Sequence, residues 1–381
     1  MTHLIAEDGR RRAEDLFHEN FTRFGELGAA VSVWQNGKSI LELHGGFRDS
    51  KRETPWTPDT LVLFWSATKG LGSACLLHVL EKRGIGLERR VAEFWPEFAQ
   101  AGKREIILAQ LLSHQAGLSA LDEPADVLDY AVVIAALEKQ APLWPPGTAH
   151  GYHARTFGFL VDETVRRIAG QRVSQYWRDT FAGPLGLDIW IGLPEAENSR
   201  TATIYAAKAG GEQTPVEFYR DLLTPGTLVR KTFTSPHGLH SIAAMNTKEN
   251  RATEIVSFSG IGSASSLGKF YAMLANGGEI EGRRFFAPET IAQMTTTLAS
   301  GVDRILQIPT AFSAGFMKDS PESARRIFGP SPSAFGHPGA GGSNALADPE
   351  NGISFAYVMN QMEQSLLPNG KSLRLMDQIY R

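Results

Sequence analysis

The chain has 381 residues, 42% of them hydrophobic and 21% charged, with a formal net charge of −3. That is apolar material for a large core, in two or three domains or in one domain with a large insertion. Nothing in this balance is basic enough to suggest a nucleic-acid surface, which needs clustered Lys and Arg to neutralise phosphates. Cys75 is the single cysteine, so no intramolecular disulfide is possible, and its apolar setting "GSACLLHVL" predicts a buried helix side chain. The opening residues lack the apolar stretch and small-residue cleavage site of a secretory signal. No apolar run is long enough to cross a bilayer. The expectation is a cytoplasmic protein without a membrane partner.

In chain order, residues 7–26 have helical spacing, with Ala13, Leu16, Phe17, Phe21 and Phe24 on one side. Two apolar runs around Asn36-Gly37 predict an antiparallel hairpin. "GLGSACLLHVLEKRGI" predicts a helix closed by Gly84. Further helices are predicted in "REIILAQLLSHQAGL", "ADVLDYAVVIAALEKQ", "TFGFLVDETVRRIAG" and "VSQYWRDTFAGPLGL". Residues 198–259 show weak periodicity and are expected to form an irregular flap. "SSLGKFYAMLANGG" returns to helix, strands follow through "NGISFAYVMNQM", and a helix over about 372–380 closes the chain. The pattern predicts an α/β (α+β) fold. Residues 1–65 and 265–381 would form one antiparallel sheet flanked by terminal helices, and residues 66–264 a mostly helical second lobe.

The chemistry begins at "TLVLFWSATKG", where an apolar run ends in Ser66, Ala67, Thr68 and Lys69 at the start of a helix. Positions i and i+3 share a helix face, so the Ser66 hydroxyl and the Lys69 amine can meet. A serine needs a base beside it to act as a nucleophile. Lysine is a base only when neutral, and moving its pKa from about 10.4 to near 7 takes roughly 4–5 kcal/mol, supplied by burial and neighbouring cations. The helix start also offers free N–H groups to a developing oxyanion. A second S-x-x-K, Ser266 to Lys269, lacks a base or pocket around it, and Ser266 is expected to be a helix cap.

Other signatures are missing. There is no G-x-S-x-G elbow, no H-E-x-x-H and no phosphate loop, and the pairs His150/His153 and His237/His240 lack a convincing third ligand. No metal or organic cofactor is expected. Tyr152 follows a Pro-Gly turn in "PPGTAHGYHARTFGFL", where its phenol could enter a cleft. His337, Pro338 and Gly339 stand at a strand edge in "FGHPGAGGSNALADPE", where a backbone N–H could approach a substrate.

With these three stretches in place, the chain resembles the serine β-lactamase and penicillin-binding family, closest to class C β-lactamases and family VIII carboxylesterases. "S-A-T-K" matches its S-x-x-K. "Y-H-A" (Tyr152–Ala154) stands where the family has Y-x-N or Y-x-S, and "H-P-G" (His337–Gly339) where it has K-T-G, H-x-G or W-x-G. The resemblance implies a β-lactamase/transpeptidase-like fold and an acyl-enzyme on Ser66. It makes Lys69 a base and Tyr152 a general base or acid whose phenolate the lysine charge would favour. The N–H groups of Ser66 and Ala340 would form the oxyanion hole, with His337 and Gly339 along the substrate edge. Which of Lys69 and Tyr152 takes the first proton stays open. Ala154 and His337-Pro338 remove groups that would grip a β-lactam, which favours a small neutral ester as substrate and a carboxylesterase as the activity. Phe64, Trp65, Trp144 and Phe258 are candidate pocket walls. A β-lactamase, a D-amino-acid peptidase or amidase, an acyltransferase and a non-catalytic binding protein are the other readings. The sequence does not address the oligomeric state.

Overall fold

Asn36 and Gly37 both carry positive φ (51° and 73°) and join β1 (Gly28–Gln35) to β2 (Lys38–Gly46), the tight turn that this dipeptide favours. The computed structural model describes residues 7–207, 216–323, 325–365 and 367–381. Later strands complete the sheet: β3 (Ala299–Val302), β4 (Pro309–Phe312), β5 (Met317–Lys318), β6 (Phe335–Gly336), β7 (Asn344–Asp348) and β8 (Ile353–Met359). Their order is β2-β1-β8-β7-β6-β5-β4-β3, antiparallel at every pairing. Both ends of the chain therefore meet at the β1–β8 ladder, where Ala29 pairs with Met359 and Gln35 with Ile353.

Every residue of β8 is buried, because helices cover both faces of the sheet. On one face the Ser354 hydroxyl donates to the Gly268 carbonyl (2.9 Å) of the helix Ala264–Ala275. On the other, Tyr357 donates to Glu26 Oε2 (2.6 Å), near the packed terminal helices α1 (Glu7–Arg23) and Gly370–Ile379. Positions 354 and 357 differ in parity, so their side chains leave opposite faces.

Between the two blocks of sheet strands lie most of the helices, including α2 (Thr68–Arg83) and α3 (Thr156–Ala169), which pack on each other. A small separate sheet pairs Val62–Leu63 and Ile189–Trp190 with Ile261–Gly262.

Several expectations need correction. α1 ends at Arg23 rather than residue 26, because Gly25 turns left-handed (φ 65°). "REIILAQLLSHQAGL" is helical only over Leu108–Leu112; His114 and Gly117 have positive φ and stop it. Ser266 is not a cap. Ser263 is the N-cap and accepts from the Ser266 N–H (3.2 Å), while Ser266 Oγ accepts from the Asp188 N–H (2.8 Å). Its partner Lys269 donates to the Leu185 carbonyl and pairs with Glu281. Residues 198–259 are less irregular than their periodicity suggests. They contain α4 (Val216–Leu223) and α5 (Leu228–Thr234), each too short for a periodic signal.

Candidate active site

The strand Val62–Leu63 runs into a tight turn, Trp65–Ala67, and then directly into α2. Trp65 holds a positive φ of 49°, a conformation that costs a non-glycine residue energy and persists only where surroundings enforce it. Two contacts do so. The Thr68 hydroxyl donates to the Trp65 carbonyl and accepts from the Gly260 N–H (2.8 Å). Ser66 is left half-buried at the base of a cavity of about 380 Å³.

Lys69 is fully buried. Its Nζ lies 2.9 Å from the Ala154 carbonyl, 2.8 Å from the Ser257 carbonyl and 3.3 Å from Ser66 Oγ. Burial, and then the positive charge of Arg155, hold its pKa well below the usual lysine value. A neutral amine has two N–H bonds and one lone pair. Two carbonyls and one hydroxyl match that inventory.

The Ser257 carbonyl reaches Lys69 because residues 256–257 lie hard against α3. A Cβ at Gly158 would stand 2.2 Å from the Ser257 nitrogen. The Gly158 N–H instead donates to Ser257 Oγ (2.7 Å), which in turn donates to the Arg155 carbonyl (2.6 Å).

Tyr152 lies in a loop whose backbone is held by buried side chains. Its N–H donates to Asp303 Oδ1 (3.1 Å), and the next N–H, of His153, donates to His114 Nδ1 (3.1 Å). Asp303 also accepts from the N–H groups of Ile305 and Leu306, both at 2.8 Å. Ser66 acts on the Tyr152 phenol to lower its pKa, and Lys69 Nζ sits 4.9 Å from the phenol ring centroid. The expectation that the lysine charge would favour the phenolate is not met. Burial raises the phenol pKa and outweighs the lowering influence of Ser66.

His337 is buried beside Tyr152, their ring centroids 6.0 Å apart. Nδ1 donates to the Pro338 carbonyl (2.9 Å), so the neutral ring presents Nε2 as an acceptor, which no described residue engages. Burial, with Lys69 adding repulsion, lowers its pKa to about 3. Gly339 is required where it is, since a Cβ there would lie 2.1 Å from the Phe64 carbonyl oxygen. This contact brings the strand edge against the Ser66 turn and leaves Ala340 exposed on the cavity. Among the described residues, the Ala340 N–H has no backbone acceptor.

Of the four expected walls, Trp65 and Phe258 line this cavity, their ring centroids 6.5 Å apart. Phe64 and Trp144 do not. Phe64 is sealed in the core against Gly260, and Trp144 donates to the Ala149 carbonyl and packs on His153. The facing wall comes from Leu222, Leu223, Phe233 and Leu239, none singled out from sequence. Arg155, Ser257 and Asp303 were missed too. Arg155 alone had a cue, since it stands three residues after Tyr152. No group of His, Cys, Asp and Glu among the described residues could hold a metal ion. No described helix is long and apolar enough to cross a membrane.

This geometry has relatives. The family described as Beta-lactamase matches residues 17–374. Over 361 residues the chain is 32% identical to Esterase/beta-lactamase LipL of Mycobacterium tuberculosis, spanning 91% of this chain and 79% of that protein. A penicillin-binding protein homologue from Caulobacter crescentus matches with a TM-score of 0.87 at 35% identity, over 100% of this chain and 98% of the other. A family VIII carboxylesterase matches with a TM-score of 0.87 at 33% identity, again over 100% and 98%. With nearly its whole length matched in both sequence and fold, the chain belongs to the beta-lactamase family.

Proposed function

We propose that this protein is a serine hydrolase of carboxylic esters that works through an acyl-enzyme on Ser66. The observation that carries the reading is the placement of Lys69, with its two donors occupied by the Ala154 and Ser257 carbonyls and its remaining position facing Ser66 Oγ at 3.3 Å.

Ser66 Oγ attacks the ester carbonyl as its proton passes to the neutral Lys69 amine, the first base. The N–H groups of Ser66 and Ala340 hold the tetrahedral oxyanion. The Tyr152 phenol, kept protonated by burial, gives its proton to the departing alkoxide and is reprotonated from Lys69. Water then attacks the acyl-enzyme, its proton travelling back through the same pair, and Ser66 regains its hydrogen as the acid leaves. No metal or cofactor takes part in these steps.

Esters are favoured over β-lactams by what lies around Ser66. His337 is neutral where a lysine would grip a β-lactam carboxylate, and Ala154 offers no side-chain hydrogen bond to an amide. The cavity lies within the size range of small-molecule sites and its facing wall is apolar. The test is a parallel assay of p-nitrophenyl butyrate and nitrocefin, with mass analysis of the peptide containing Ser66. Ester turnover with a trapped acyl group on Ser66 is expected. Rapid nitrocefin turnover without ester cleavage overturns the ester reading. An acyl group on any other residue overturns the assignment of Ser66.

A further inference from the structure

The cavity that holds Ser66 is apolar along most of its wall, yet Arg155, Arg230 and His240 also line it, and no acidic side chain among the described residues does. Arg155 is only 7% exposed. Its guanidinium lies 5.0 Å from the Phe258 ring centroid, and one Nη2 hydrogen goes to the Gly238 carbonyl. Its buried Nε has no hydrogen-bond partner among the described residues. Asp126 attracts this guanidinium, but desolvation outweighs the attraction and lowers its pKa to about 10. Among the described residues, the Arg230 side chain reaches only the carbonyls of Leu222 and Leu223 (3.3 and 3.4 Å). Neither arginine forms an ion pair among the described residues. Both guanidinium groups bear on His240, and with burial they depress its pKa.

A guanidinium carries five N–H donors in a planar fork that fits a carboxylate with two parallel bonds. Arg155 spends one of them on the protein, at the edge of a hollow that contains the nucleophile. Burying an unpaired cation beside apolar side chains is costly unless a counter-charge arrives.

We propose that the substrate is an ester bearing an anionic group, of the carboxylate type, on an apolar arm, and that Arg155 and Arg230 receive that anion while Ser66 meets the ester carbonyl. The inference rests on the ester-hydrolase reading and names its substrate class. It makes Arg155 and Arg230 specificity-determining residues beyond the S-A-T-K, Y-H-A and H-P-G motifs.

The test uses two matched pairs of probes. One pair is 4-nitrophenyl hexanoate and the mono-4-nitrophenyl ester of adipic acid, which differ by a terminal carboxylate on the acyl arm. The other is 4-carbamoylphenyl and 4-carboxyphenyl hexanoate, which differ on the alcohol arm. In at least one pair the anionic member should have the higher kcat/KM by about ten- to a hundredfold, the worth of a charge-assisted hydrogen bond. Arg155→Gln and Arg230→Gln should bring that ratio towards one, mainly through KM, and Arg155→Lys should restore part of it. Because the readout is a ratio, a general loss of activity in a variant does not mimic the effect.

Equal or better turnover of the neutral member in both pairs overturns the inference and leaves ester hydrolysis standing. Binding of the same probes to Ser66→Ala separates the two the other way. Tighter binding of an anionic probe, with no cleavage of any ester by the native enzyme, sustains the anion site and removes the hydrolase reading.

Discussion

Lys69 Nζ and the Ser257 carbonyl oxygen stand 2.8 Å apart although 188 positions separate them in the chain. Burial and then the Arg155 charge depress this helix-start amine, and the bond fixes its position. It takes one of the two donors a neutral amine has and leaves the lone pair for Ser66. The Gly158 backbone, the Ser257 hydroxyl and the Arg155 carbonyl hold it in place.

Replacing Ser66 by Ala removes the nucleophile and little else. Ester turnover and labelling by a fluorophosphonate should both be lost, while the melting temperature stays near that of the native protein. Intact-mass analysis and a thermal scan check this, and appreciable residual turnover removes Ser66 from its role.

Lys69→Met should lower kcat by roughly 10²–10⁴-fold, the usual worth of base assistance. The active form needs the neutral amine, so kcat/KM should fall as pH drops through the depressed lysine pKa. Arg155 contributes to that depression. Arg155→Met should therefore raise the lysine pKa and move the acid limb to higher pH. A pH–rate profile of the two proteins decides it, and a limb that stays put or moves lower counts against Lys69 as the base. The same shift bears on stability. A lysine whose folded pKa lies below its unfolded value resists folding most at low pH, and the penalty fades as pH rises towards the unfolded pKa.

Tyr152→Phe keeps the ring and removes the proton donor. If the phenol serves the leaving group, the loss should be large for an alkyl ester such as ethyl butyrate. In kcat/KM, which reports acylation, it should be much smaller for a p-nitrophenyl ester, whose leaving group needs no proton. A series of esters of graded leaving-group acidity measures this, and an equal loss across the series speaks against the role.

Gly158→Ala forces a methyl group into the Ser257 backbone. Overpacking of this kind costs about 1–3 kcal/mol, and moving Ser257 also takes an acceptor from Lys69. Denaturant titration should show the destabilisation, and activity should fall at temperatures where the variant is still folded.

His337→Ala should be milder than any of the motif changes. The neutral ring offers one unused acceptor at the substrate edge, so its loss should alter the ranking of ester substrates more than the rate with the best one. A panel of acyl and alcohol variants shows whether the ranking moves.

What could be read before folding was local. The hairpin at Asn36-Gly37 follows from turn chemistry, and the closeness of Ser66 to Lys69 follows from helical spacing, because both depend only on neighbours in the chain. The motif stretches around Tyr152 and His337 marked where polar groups would face a cleft. The ionisation of those groups depends on something else, the removal of water by segments far away in sequence. That desolvation depresses Lys69 and His337 and keeps Tyr152 protonated, contrary to the phenolate expectation. The cavity wall from Leu222 to His240, Arg230 included, likewise has no pattern along the chain, since a hollow is a property of surfaces that only packing brings together.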